Sequence, residues 1–278
     1  VTDAIPLRVP VGADAGRWVT RSGCRRVLLV VHNVTSATRL LDILPLLARD
    51  ARLQLLATCT GSSPFLAGVP ELLASAGLPV LPWEQAAETE VELAVSASYG
   101  GELHRIQGQL AVLSHGVGYN KRLATPDTGH RTPDTGHRGP EPAFGMDPAW
   151  LLHEGRPVAT ATVLSHPEQL ARLGVACPPA APTAVLAGDP CYDRVLAALP
   201  ERDRFRRALG VAEGQRLVLL NSTWSPRSFF GRPDAAAEHD GDDLLTGLLP
   251  RLTAELPADE YRLAAVLHPN IWYGHGPG

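Results

Sequence analysis

Short apolar runs alternate with amphipathic segments of helical length along this chain, the pattern of a parallel sheet covered by helices. The first run, residues 27–31, reads VLLVV without interruption, as expected of a strand buried on both faces. Ser36 or Thr38 is placed to cap a helix, and Leu40, Leu41, Leu44, Leu47 and Ala48 then share one helical stripe. The pattern continues with a strand at 53–57, a helix over 64–76 and strands at 80–81, 93–96 and 110–113. A strand at 158–164, a helix over 167–173, a strand at 184–186 and helical segments over 192–209 follow. A second set opens with a strand at 216–220, a helix over 242–256 and a strand at 261–267.

This order predicts an α/β protein with one complete Rossmann-like domain over residues 1–210 and the start of a second over 211–278. Two strands and one helix are fewer than a doubly wound domain needs, so the second domain is expected to be truncated in this chain. Within the first, residues 125–131 and 132–138 both read TPDTGHR. A tandem copy with no large apolar residue cannot bury a core face, which predicts a mobile surface loop over 122–145. His130 and His137 repeat with it, and duplication in a tolerant loop outweighs a metal pair as the reading.

Composition removes several classes of function. A formal charge of −4 and a pI near 6.2 supply no global attraction for nucleic acid, so any anion site must be local. Cys24, Cys59, Cys177 and Cys191 are far apart and form no CxxC pair, which argues against zinc and against a disulfide framework. The absence of a long apolar stretch or a basic-then-apolar N-terminus leads to the expectation of a cytoplasmic protein.

Four segments, each at the end of a strand, carry candidate chemistry. In SHGVGYNK, residues 114–121, His115 can enter a cleft, Gly116 and Gly118 allow close backbone approach, and Lys121 adds a positive charge. A structural cap is an equal reading of His115. In AGDPCYDR, residues 187–194, Gly188 permits an unusual turn, Asp189 can cap and Pro190 suits a first helical turn; turn-and-cap outweighs catalysis there. In NSTWSPRS and LHPN, residues 221–228 and 267–270, Thr223, Arg227 and His268 could cradle a pyrophosphate, and a polar hinge loop fits equally well.

At these four places the chain resembles the CDP-glycerol glycerophosphotransferase family, the teichoic-acid polymerases. Members carry a strand-end His-Gly followed by Lys, a Gly-x-Pro-Arg-Asn-Asp turn, a Pro-Thr-Trp-Arg segment and a strand-end His-Pro. The matching residues here are His115-Gly116 with Lys121; Gly188, Pro190 and Asp193; Thr223-Trp224 with Arg227 displaced by two; and His268-Pro269. Cys191 and Tyr192 stand where the family has Arg and Asn.

The resemblance implies a GT-B-like fold of two Rossmann-like domains facing across a cleft, with His115 on one side and Thr223 and His268 on the other. It implies transfer of a glycerophosphate, polyol phosphate or glycosyl group from a nucleotide-activated donor such as CDP-glycerol to an acceptor polyol or lipid-linked glycan. No cofactor and no metal are expected, and the acceptor would bring the protein to the inner face of the cell membrane. His115 would be the base, and Lys121, Thr223, Arg227 and His268 would bind the donor phosphates. Gly116, Gly118, Gly188, Pro190 and Asp193 would shape the turns near the cleft. A sugar-nucleotide glycosyltransferase or epimerase, and a non-catalytic nucleotide-sugar-binding or scaffold protein, are the alternatives on the same scaffold.

Overall fold

Strand β1 (Arg25–Val31) is the middle of the main sheet in the computed structural model, which describes residues 23–63, 66–116, 145–222 and 249–267. To one side of it lie β2 (Leu53–Cys59) and β3 (Val80–Leu81), and to the other β4 (Glu90–Ser96) and β5 (Gln107–Val112). A separate antiparallel hairpin of β6 (Leu152–His153) and β7 (Arg156–Pro157) precedes β8 (Ala161–Leu164) and β9 (Ala184–Leu186), which extend the sheet beyond β5. The order is β3-β2-β1-β4-β5-β8-β9, and every neighbouring pair is parallel.

The sequence of β1 explains its central place. Val27, Leu29 and Val31 enter one core cluster and Leu28 and Val30 the other, so an unbroken apolar run fills both faces of the sheet. Each such side chain contributes about 1.5–3 kcal/mol on full burial. Helix α1 (Val34–Leu47) closes the first face with Val34, Ala37 and Leu40. A third cluster, of Met146, Leu151, Leu164, Leu173, Cys177 and Ala180, packs β8 against helix Pro167–Ala176.

Local chemistry corrects several boundaries. The cap of α1 is Asn33 rather than Ser36 or Thr38: Asn33 Oδ1 accepts from the Ser36 amide at 2.8 Å and Ser36 Oγ accepts from the Asn33 amide at 3.0 Å, a reciprocal capping box. The helix expected over 64–76 is Val69–Ser75, because Gly68 at φ 83 breaks the turn before it; residues 64–65 lie outside those described. Helix Trp83–Ala87, at five residues, is too short to register as a period. The run 158–164 is a strand only from Ala161, and the hairpin of β6 and β7, turned through Glu154 at φ 50 and Gly155 at φ 76, ends at Pro157 just before it.

The chain divides into two compact units, residues 1–191 and 192–278. In the second, β10 (Arg216–Ser222) pairs in parallel with β11 (Tyr261–Leu267). Gly210, at φ +68, leaves room for the Arg262 guanidinium, whose Nε donates to the Leu209 carbonyl at 2.9 Å. Of the helix expected over 242–256, Leu249–Glu255 is helical, and 242–248 lie outside the described residues. So does 122–144 of the loop expected over 122–145, with both TPDTGHR copies.

Candidate functional site

The chain builds β1, β2 and β3 outward in one direction, then returns to lay β4 on the other side of β1. Where that order reverses, the loops after β1 and β4 diverge, and in open α/β sheets ligands bind beyond these C-terminal strand ends. Two histidines and one buried arginine gather there.

His32 is the first residue past β1, and only 2% of its surface is exposed. Its Nε2 lies 2.5 Å from the Gly100 carbonyl oxygen. A carbonyl only accepts, so Nε2 carries the proton and Nδ1 holds the lone pair. Nδ1 is buried and has no hydrogen-bond partner among the described residues. Burial pulls the His32 pKa from 6.5 down to about 4; the Gly100 carbonyl opposes the shift and the neighbouring His115 adds to it.

His115 follows β5 and is half-buried. Its Nδ1 lies 2.9 Å from the Ala97 carbonyl oxygen, so Nδ1–H donates and the Nε2 lone pair is left for another group. Burial lowers its pKa; the Ala97 carbonyl opposes this and the Arg39 cation reinforces it. At neutral pH the ring is therefore uncharged. Gly116 donates its amide to Ser114 Oγ at 3.3 Å, and a Cβ at Gly116 would meet nothing within 4 Å among the described residues.

Arg39, 7% exposed, projects from α1. Its Nη1 donates to Asp189 Oδ1 at 2.6 Å and stands 3.9 Å from Asp42. The same Asp189 oxygen accepts from the Cys191 amide at 2.9 Å, at the start of helix Pro190–Ala198, and Gly188 turns the chain at φ +86 just before it. Asp189 thus ties the end of β9 to α1 while capping the next helix. Asp193 lies exposed in that helix's first turn.

Of the residues singled out from the sequence, the structure describes His115, Gly116, Gly188, Pro190 and Asp193, and brings His115 together with His32 and Arg39. Gly118, Lys121, Thr223, Arg227 and His268 lie outside the described residues. Sequence reasoning passed over His32 and Arg39. The rule that selects His115, a histidine directly after an apolar strand, selects His32 as well. Arg39 carries a weaker signal, a charged side chain next to Leu40 on the apolar stripe of α1.

Chemically, the arrangement offers a neutral imidazole whose Nε2 has no partner among the described residues and a fixed cation nearby, which suits removal of a proton from a hydroxyl. Among the described residues no group of three or more His, Cys, Asp or Glu could hold a metal ion, and no helix is long and apolar enough to cross a membrane. A surface hollow of about 620 Å³ lies at the opposite edge, beside Arg26, Glu90 and Gln107 at the N-terminal ends of β1, β4 and β5. That edge is not the one where ligands bind in such sheets.

No protein-family model matches the chain, and no curated protein matches it in sequence. Solved structures do. An alanine-for-histidine variant of the wall teichoic acid polymerase TagF superposes with a TM-score of 0.50 at 14% identity, covering 88% of this chain and 56% of that one. An asparagine-for-histidine variant of TagF gives 0.53 at 12% identity, covering 90% and 57%. The same asparagine variant soaked with CDPG gives 0.51 at 13% identity, covering 90% and 57%. At these identities the likeness establishes the fold: a seven-stranded parallel α/β sheet matching GT-B-type structures over part of their length. The chain spans somewhat over half the length of these structures.

Proposed function

We propose that this chain belongs to a transferase that moves a glycerophosphate, polyol phosphate or glycosyl group from a nucleotide-activated donor to an acceptor hydroxyl, as in cell-envelope polymer synthesis. The observation that carries the reading is His115: a neutral ring at the C-terminal edge of a parallel sheet, its Nδ1–H on the Ala97 carbonyl and its Nε2 without a hydrogen-bond partner among the described residues. Such a group takes the acceptor proton as the new bond to the donor phosphorus or anomeric carbon forms, an effect worth about 10²- to 10⁴-fold in rate. The nucleotide leaves with its phosphate stabilised by cations and donors. Lys121, Thr223, Arg227 and His268 are assigned that second task on the motif resemblance, with residues 1–210 as the acceptor side and 211–278 as the donor side. CDP-glycerol is the first donor to test, since a structural neighbour was soaked with CDPG. An acceptor at the inner membrane face fits the same scheme.

A non-catalytic donor-binding protein is favoured by one observation. Cys191 and Tyr192 replace the family's Arg and Asn, and Asp189 sets a carboxylate at the turn. Isothermal titration with CDP-glycerol and a panel of UDP- and GDP-sugars, followed by turnover assays with polyol and glycan acceptors, separates the readings. Binding of one donor with turnover that needs His115 supports the transferase, and the donor chosen distinguishes glycerophosphate from glycosyl transfer. Binding without turnover supports the second reading, and no binding of any donor overturns both.

A further inference from the structure

Two histidines grip the two ends of one short strap. The strap is residues 97–100, between β4 and the 3-10 turn Leu103–Arg105. His115 Nδ1–H donates to the Ala97 carbonyl at its start, and His32 Nε2–H donates to the Gly100 carbonyl at its end. Between these points the strap holds its own shape: Ser96 Oγ donates to the Ser98 carbonyl at 2.6 Å, the Gly100 amide donates to Ser98 Oγ at 3.2 Å, and the Tyr99 hydroxyl meets Thr162 Oγ1 at 2.9 Å.

His32 is itself fixed, because its backbone amide donates at 3.0 Å to Ser36 Oγ, the same oxygen that closes the capping box of α1. Contact at the far end of the strap is close. A Cβ on Gly100 would stand 3.2 Å from His32 Cδ2 and 3.2 Å from Ser62 Oγ, tighter than ordinary packing, so a side chain at residue 100 would press the strap or its neighbours apart by a few tenths of an ångström.

We infer that His32 is a positioning residue for His115: by pinning the Gly100 end of the strap it fixes the Ala97 carbonyl, and that carbonyl selects the His115 tautomer whose Nε2 is bare. A buried imidazole with a spare Nδ1 that has no partner among the described residues is an expensive way to fill space, and an apolar side chain would fill it without that cost. What an apolar side chain cannot do is hold the Gly100 carbonyl. When the strap is released, His115 loses its acceptor at Nδ1, its ring is free to turn, and the proton can move to Nε2, where the ring no longer accepts from an incoming group. The catalytic consequence rests on the reading of His115 as a base; the positional statement does not.

The test is nitrogen-15 NMR of the imidazoles at pH 7.5 in the wild-type protein, His32→Phe and His32→Gln, with donor affinity and turnover measured on the same samples. In the wild type His115 should show protonated Nδ1 and bare Nε2. Phenylalanine fills the site without a donor, so His115 should show exchange-averaged nitrogens, with turnover down roughly 10- to 100-fold and donor affinity nearly unchanged. Glutamine can place its amide nitrogen near the Nε2 position and should restore both signals. If His32→Phe does not fold, Gly100→Ala, which pushes the strap off His32 from the other side, should give the same change at His115. A folded His32→Phe or Gly100→Ala protein whose His115 tautomer matches wild type overturns the inference. A tautomer change in a protein that turns over no donor upholds the positioning and overturns the transferase reading instead.

Discussion

Acidification should unfold the first unit in a way that traces to one residue. His32 binds its proton at pH 6.5 when unfolded and only near pH 4 when folded. Between those values the unfolded chain holds more protons, so stability is fully present above pH 6.5, falls with pH through the window, and stops falling below about 4. The span from 6.5 to about 4, at about 1.4 kcal/mol per pH unit, makes the loss about 3 kcal/mol, most of it complete by pH 4.5. His115, also depressed, adds to the loss in the same direction. Asp50, held near 2 by hydrogen bonds from Arg52, titrates below the window and leaves it undisturbed. Hydrogen exchange of the β1 amides, corrected for the intrinsic rate at each pH, reads the opening free energy of this unit alone. Wild type should lose more protection than His32→Gln, which has no proton to take up, by about 2 kcal/mol between pH 7 and pH 4.5. Comparing the two proteins across pH cancels the titration of groups remote from His32, while the neighbouring His115, which couples to it, contributes to the difference. Equal losses in both would mean that His32 is not kept neutral by the fold, and the hydrogen-bond assignment around it would fall.

Other perturbations have separate signatures. Arg39→Leu removes the cation beside Asp189 and Asp42 and should cost about 3 kcal/mol by urea unfolding, and a cycle with Asp189→Leu should show a coupling of about 1 kcal/mol or more; a double variant as unstable as the sum of its singles would refute the pairing. Asn33→Ala deletes one half of the α1 capping box and should cost about 1 kcal/mol, read in the same assay. Leu28→Ala, at a position with no exposed surface, should cost about 2–5 kcal/mol, whereas Leu46→Ala, 81% exposed, should stay within about 0.5 kcal/mol of wild type.

Much of the sheet was legible because its strands are uninterrupted apolar runs: β1 as VLLVV, and even two-residue β3 as Val80–Leu81. The N-terminus of α1 was legible in principle but misread. Asn33 and Ser36 stand in the spacing of a capping box, with serine in place of the usual acidic or amide partner. At β8 the apolar character of Val158 and Ala159 masked a boundary. Both pack on the core without joining the strand, and the Glu154-Gly155 turn that builds the preceding hairpin is a two-residue signal. His115 could be found from its place after a strand. The Arg39–Asp189 pair could not, since 150 positions separate its partners and only the order of strands brings them together. The histidine tautomers were equally invisible, because each depends on which carbonyl the folded strap presents.

The central claim is that His115 is a base and not a ligand for the donor. Pre-steady-state turnover of wild-type protein and His115→Ala at saturating donor, with donor dissociation constants from titration and His268→Ala alongside, tests it directly. His115→Ala should lower turnover by about 10² or more while donor affinity stays nearly unchanged. If His268 binds a donor phosphate as proposed, His268→Ala should lose about 1–3 kcal/mol of contact and weaken donor binding roughly 5- to 150-fold. Equal losses of donor affinity in both variants, with turnover intact at saturation, would contradict the account and make His115 a binding residue only.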